Sequence, residues 1–136
     1  MYRDGEGVPK SIKTAVKWYT LAAKQGNAGA QFNLGLSYEN GKGVPKDYKT
    51  AVKWYRLAAE QGNAYAQGQL SSMYFLGRGV LKDYVYAHMW ASISGTNGKK
   101  SGAKLRKFFE KKMTPAAISD ARKLALECIR KKYKRC

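Results

Sequence analysis

Apolar and polar positions follow the period of a helix along most of the chain, and the pattern itself repeats. Between residues 28 and 40, Ala28, Gln31, Leu34, Gly35 and Tyr38 recur at intervals of three or four, the spacing that puts side chains on one face of an α-helix. Gly41-Lys42-Gly43 interrupts that face, with glycine free to take the positive φ found just beyond many helix ends. Val44-Pro45 reads as an extended entry, because proline pushes the preceding residue out of the helical region. Asp47 suits an N-cap, and a second helix is predicted over 48–61 with the apolar stripe Tyr48, Ala51, Val52, Tyr55, Ala58 and Ala59. Gln61-Gly62-Asn63 closes it, and Ala64 starts the next unit. Small residues at Gly35, Ala51, Ala58 and Ala59 let helices approach closely, while Tyr38, Trp54 and Tyr55 fill the spaces between them.

The unit recurs at a fixed interval. Gly5, Gly41 and Gly77 stand 36 residues apart, as do Gly7, Gly43 and Gly79, and Trp18, Trp54 and Trp90. Aligned without a gap, residues 5–40 and 41–76 are identical at 23 of 36 positions, far beyond chance. A repeat of this length with helical spacing inside it predicts stacked helical hairpins. The tryptophan series recurs with the scaffold and is therefore assigned to packing.

The run Ala-x-Ala-Gln-x-x-Leu-Gly-x-x-Tyr-x-x-Gly-x-Gly-Val at 28–44, followed by Asp-x-x-x-Ala-x-x-Trp-Tyr-x-x-Ala-Ala-x-x-Gly at 47–62, resembles the Sel1-like repeat. This is a tetratricopeptide-like unit with a longer loop inside each hairpin. The resemblance covers residues 1–98, with a partial first unit at 1–26 and full units at 28–62 and 64–98. It implies an all-α fold, a right-handed α-solenoid of stacked antiparallel hairpins that offers a groove to protein partners. It also implies a bacterial adaptor, periplasmic, secreted or cytoplasmic, although some eukaryotic degradation complexes use the same repeat.

Departures from the pattern mark the two ends. Tyr2 and Gly5 align with Tyr38 and Gly41, so a first helix is missing and further repeats or a signal are expected upstream. The third unit keeps Asp83, Ala87 and Trp90 but carries Leu81 in place of proline and Ser94-Gly95 in place of the Ala-Ala pair. Residues 99–136 form a basic segment predicted to hold two capping helices. One starts at Ser101-Gly102-Ala103 and runs to Lys112; the other follows Thr114-Pro115, an N-cap with proline in the first turn. The second helix is read with Ile118, Ala121, Leu124, Ala125, Cys128 and Ile129 inward and a Lys/Arg-rich outer face, the pattern that covers a solenoid's open end.

Composition sharpens the ends and excludes much chemistry. The 136 residues carry a formal charge of +17, which predicts attraction to polyanions but says nothing about fold. Residues 1–98 contribute 12 Lys/Arg and 6 Asp/Glu, and residues 99–136 contribute 14 and 3, so +11 of the excess sits in the last segment. No stretch approaches the roughly 18 apolar residues of a membrane-spanning helix. A single histidine, His88, and two cysteines leave no metal or cofactor site to assemble, and His88 reads as structural. The Gly-x-Gly pairs lack a third glycine and a strand, and Gly35 to Gly41-Lys42 has the wrong spacing and no following Ser or Thr for a phosphate loop. Ser101-x-x-Lys104 matches the serine–lysine pair of penicillin-interacting enzymes without either accompanying motif. No catalytic residues are assigned. On one continuous helix Cys128 and Cys136 would lie roughly 12 Å apart, beyond disulfide reach; a bridge would require the tail to turn after about Tyr133, and Cys128 is read as buried and Cys136 as a free terminal thiol.

Two surfaces remain as candidates. By the tetratricopeptide arrangement, Phe32, Leu36, Glu39 and Asn40 of one unit and Tyr65, Ser72, Phe75 and Leu76 of the next face a concave groove that suits a partner protein or peptide. Core packing between hairpins is an equal reading for Phe32 and Leu36. Lys99, Lys100, Lys104, Arg106, Lys107, Lys111 and Lys112, with the tail at 130–135, form the alternative, a patch for nucleic acid, anionic lipid or an acidic protein. Such runs are also common as plain solvated faces. The leading expectation is a non-catalytic adaptor; a polyanion-binding module comes second. An enzyme of cell-wall or β-lactam substrates, by analogy with cysteine-rich relatives of the repeat, comes third.

Overall fold

The computed structural model describes residues 8–136, so the expected opening around Tyr2 and Gly5 lies outside the described residues. Seven helices and no strand are found among them: α1 (Val8–Lys24), α2 (Ala28–Asn40), α3 (Tyr48–Ala59), α4 (Ala64–Leu76), α5 (Tyr84–Thr96), α6 (Lys100–Glu110) and α7 (Pro115–Arg130). α2 pairs with α3 and α4 with α5 as hairpins, while α1 is the second half of a preceding unit and packs on α2. The chain is an all-α solenoid.

The repeated polar residues set the helix ends. Asn27 and Asn63 accept hydrogen bonds from the Ala30 and Ala66 amides at 2.8 and 2.9 Å, capping α2 and α4. Asp47 and Asp83 do the same for α3 and α5 through Thr50 and Tyr86. Each such bond satisfies an otherwise orphaned N–H at a helix start. Gly41 and Gly77 end α2 and α4 in the left-handed region at φ 67° and 69°.

Buried glutamines couple one unit to the next. Gln31 donates from Nε2 to the Ala23 carbonyl and accepts at Oε1 from Gln61 Nε2, 2.8 Å away. Gln67 donates to the Ala59 carbonyl and accepts from Asn97 Nδ2 at 2.9 Å. Two uncharged rungs therefore add a second hydrogen bond to carbonyls at helix C-termini that also accept from the Gly26 and Gly62 amides.

Alanines dominate the interfaces between helices, and one glycine is forced by them. A Cβ on Gly35 would stand 2.5 Å from the Tyr55 ring, so α2 and α3 can meet at this distance only with hydrogen there. The main core joins Ala51, Val52, Tyr55 and Ala58 of α3 with Leu70 and Met73 of α4, Trp90 and Ile93 of α5, and Ala125 and Cys128 of α7. Only part of the tryptophan series packs as expected. Trp90 is 1% exposed, Trp54 rests half-buried on the cluster of Val16, Ala23 and Leu34, but Trp18 is 64% exposed. Trp54 and Trp90 each pack with the second helix of the preceding unit, whereas no helix stands before α1 among the described residues to meet Trp18.

The third unit's departures bring in the C-terminal helices. Ser94 Oγ donates to the Ala64 carbonyl at 2.7 Å, and a Cβ on Gly102 would lie 2.6 Å from the Gly95 amide nitrogen. Exchanging the Ala-Ala pair for Ser94-Gly95 thus lets α6 cross α5 at backbone contact. On α7, Ala121, Ala125 and Cys128 are buried as expected, but Ile129 turns to the surface.

The reading of Cys136 as a free thiol is corrected: Cys128 and Cys136 form a disulfide with their Cα atoms 5.5 Å apart. α7 stops at Arg130, and Lys132, Tyr133 and Arg135 take positive φ values of 55°, 69° and 56°. These left-handed residues reverse the chain around Tyr133, the turn that a bridge requires, so the straight-helix distance does not apply. The reversed tail is fastened to the repeats: the Tyr133 hydroxyl donates to Asn97 Oδ1 at 3.0 Å, and Lys134 Nζ donates to the Glu60 carbonyl at 3.1 Å.

Candidate interaction surfaces

The first helices of each unit, α2 and α4, carry the eight groove candidates, and the structure divides them. Phe32 sits half-buried between Tyr55 and Tyr65, ring centres 6.1 and 5.7 Å away. Leu36 leans on the main core. Glu39 accepts from the Tyr55 hydroxyl at 2.6 Å and from Gln69 Nε2 at 3.2 Å. Burial, with the Glu39 carboxylate adding to it, pushes the Tyr55 phenol far above its usual range, so this hydroxyl stays a donor. Phe75 is packed among Tyr84, Phe108 and Phe109 at 5.3, 5.6 and 4.6 Å. Ser72 is half-buried.

That leaves Asn40, Tyr65 and Leu76 as the open positions; Tyr65 and Leu76 are 56% and 48% exposed. Eleven residues apart on α4, Tyr65 and Leu76 share one helical face at roughly 16 Å, with Ser72 between them. Lys99 Nζ lies 4.7 Å from the Tyr65 ring centre, close enough for a cation–π attraction.

Basic candidates divide as well. Lys100, Lys104 and Lys107 follow one another at helical spacing on α6, Lys111 caps its C-terminus, and all are exposed. Lys99 and Lys112 lie over the Tyr65 and Phe108 rings. Arg106 is not part of the free stripe, because its Nη1 donates to Glu110 Oε2 at 3.0 Å.

Glu110 organises a cluster that sequence reading missed. His88 is fully buried, and its Nε2 lies 2.7 Å from Glu110 Oε2; Arg122 Nη2 of α7 approaches the same oxygen at 3.7 Å. The His88 hydrogen bond, with Arg106 adding to it, holds the Glu110 carboxyl below its usual range. Ser92 Oγ stands 3.5 Å from His88 Nδ1, at the outer limit of a hydrogen bond and one turn away on the same helix. Serine, histidine and glutamate are thus aligned, but the distance suits packing more than proton relay. No sequence motif announces this group, since His88 and Glu110 are 22 residues apart and belong to different helices.

Beside the cluster, α6 and α7 both rest on α5 and leave a cleft of about 350 Å³ between them, lined by Ser92, Thr96, Arg106, Arg122, Ala125, Leu126 and Ile129. Among the described residues no group of three or more His, Cys, Asp or Glu is placed to hold a metal ion, and no helix is long and apolar enough to cross a membrane.

A family model described as Sel1 repeat matches residues 1–27, 28–63 and 64–99. The chain is similar to a protective antigen present in uropathogenic Escherichia coli strains that displays an SLR fold. The two are 41% identical with a TM-score of 0.85, over 90% of this chain and 27% of the antigen. A Sel1 repeat protein from Oxalobacter formigenes is 42% identical with a TM-score of 0.69, over 71% of this chain and 39% of its own. The chain therefore spans well under half of either structure. No curated protein matches it.

Proposed function

The chain belongs to the Sel1-repeat family, and on that premise we propose that it is a non-catalytic adaptor that binds a partner protein or peptide along the groove faced by α2 and α4. Sel1-repeat proteins act generally as protein-interaction scaffolds. The observation that carries the reading here is the exposed pair Tyr65 and Leu76 on α4, with half-buried Ser72 between them. An aromatic and an aliphatic side chain stand open there, three turns apart on one face of a first helix. An extended or helical peptide would lay alternate anchors against that face.

Panning a random peptide display library on the purified chain tests this. Enriched peptides should lose binding in a Tyr65→Ala/Leu76→Ala variant of unchanged helicity and keep it in Leu57→Ala, an exposed control on α3. Equal binding to both variants, or no enrichment, defeats the assignment. The Cys128–Cys136 bond supports an oxidising compartment, periplasmic or extracellular. Thiol trapping of the chain in its native cells should find the bond closed; free thiols would place the chain in the cytoplasm.

A further inference from the structure

We infer that the cleft between α6 and α7 is a second docking site, for a short acidic peptide segment in which carboxylates alternate with aliphatic side chains. Its residues are disjoint from the α2/α4 groove.

The cleft exists because α6 and α7 share one support. Both pack on α5 and hardly touch each other, so their facing sides are left open above Ser92 and Thr96. Arg106 projects from one wall and Arg122 from the other, and Glu110 lies between them as the single acid of the cluster. Each guanidinium offers five N–H donors in a fixed fork, and only one nitrogen of each is directed at Glu110 Oε2. Two cations against one carboxylate leave a positive charge and several donors facing the opening. A second carboxylate is what that geometry recognises best, since guanidinium binds carboxylates through paired hydrogen bonds.

The α7 wall adds an apolar half. Leu126 is 70% exposed and Ile129 stands beside it at the rim, both on a helix whose remaining open positions are mostly charged or small. An acidic peptide with leucine-like residues between its carboxylates satisfies both halves at once. Nucleic acid would gain nothing from the aliphatic wall, and a flat bilayer would not reach Arg106, recessed with 28% of its side chain exposed.

Fluorescence polarisation with the full chain tests the site. The probe is a labelled peptide alternating Glu and Leu, and the controls are a Gln/Leu peptide, phosphatidylglycerol vesicles and single-stranded DNA. The Glu/Leu peptide should bind, and Arg122→Gln and Leu126→Ser should each weaken it about tenfold, the scale of one charge-assisted contact. Lys104→Gln/Lys107→Gln on the exposed stripe should change it less than about twofold, as expected for solvated charges. The inference is overturned if the Glu/Leu peptide does not bind, or if the Gln/Leu peptide binds equally well. It is overturned too if the stripe variant costs as much as Arg122→Gln, or if only vesicles or DNA bind. Loss of peptide binding in Tyr65→Ala/Leu76→Ala would move the peptide to the other groove and equally sink it, while retention separates the two sites.

Discussion

The repeats and the C-terminal segment are built from the same kind of helix but held by different forces. From α2 to α5 the polar contacts are largely neutral and periodic: asparagine and aspartate caps, glycine stops and glutamine rungs, each reappearing 36 residues on. Past Thr96 the contacts are singular. Every ion pair found among the described residues converges on Glu110, and the disulfide fastens the tail that covers the α3–α4 turn. A stack can rely on interactions that add up unit by unit. The segment after Thr96 does not repeat, and it is secured by a covalent bond and a charged cluster.

The largest effect should come at the seam. Trp90 touches the α3 side of the core and shares it with Ala125 and Cys128, so Trp90→Ala should cost about 3–5 kcal/mol in urea unfolding. The same change at exposed Trp18 should stay within about 0.5 kcal/mol. Similar losses at both positions would mean that the periodic view outweighs the local one.

Next comes the bond. Cys128→Ser/Cys136→Ser opens a loop with a sequence separation of 8, worth about 2.5 kcal/mol on chain entropy. Hydrogen exchange should show the loss in α7 and the tail, with α2 to α4 unchanged. Uniform loss across all helices would erase the distinction between stack and cap.

Within the stack, Gln67→Leu leaves the Ala59 carbonyl and Asn97 Nδ2 without this partner and should cost about 1–3 kcal/mol by thermal melting. The smallest effect is a pH dependence. The carboxyl of Glu110 is depressed below its ordinary 4.5, chiefly by His88. Stability from such a group is full above the unfolded value and is lost as pH falls through the folded one. Acid should therefore loosen α6 before α2, and Glu110→Gln should flatten that part of the melting curve. An acid response confined to the repeats would contradict the placement of charge in the cap.

Legibility follows the same division. The hairpins could be read because Asn27, Asp47 and Gly41 each announce a helix end locally and then reappear. Gln31 was visible on the α2 face, yet its bond to Gln61 was not, because a rung needs the packing of α2 on α3 first. Cys136 was misjudged because three residues in left-handed backbone, none of them glycine, reverse the tail. Arg106 looked like one more solvated cation; its partner Glu110 sits one helical turn on, but the decisive third member, His88, comes from α5. Of the groove candidates, Phe75 and Glu39 were separated from Tyr65 and Leu76 only by their neighbours in space.

The glutamine rungs have a consequence for how such a chain can change length. Both observed rungs pair residues separated by 30 positions within one unit, and the rung glutamines Gln31 and Gln67 each donate to a carbonyl eight residues back, in the preceding unit. A crossover between neighbouring units that adds or removes a whole block of 36 residues leaves every donor facing an equivalent acceptor. Recombination can therefore shuffle the number of units without rewriting a single joint. Of the two observed joints one is particular: Asn97 Oδ1 is taken by the Tyr133 hydroxyl, so that joint answers to a segment outside the repeats.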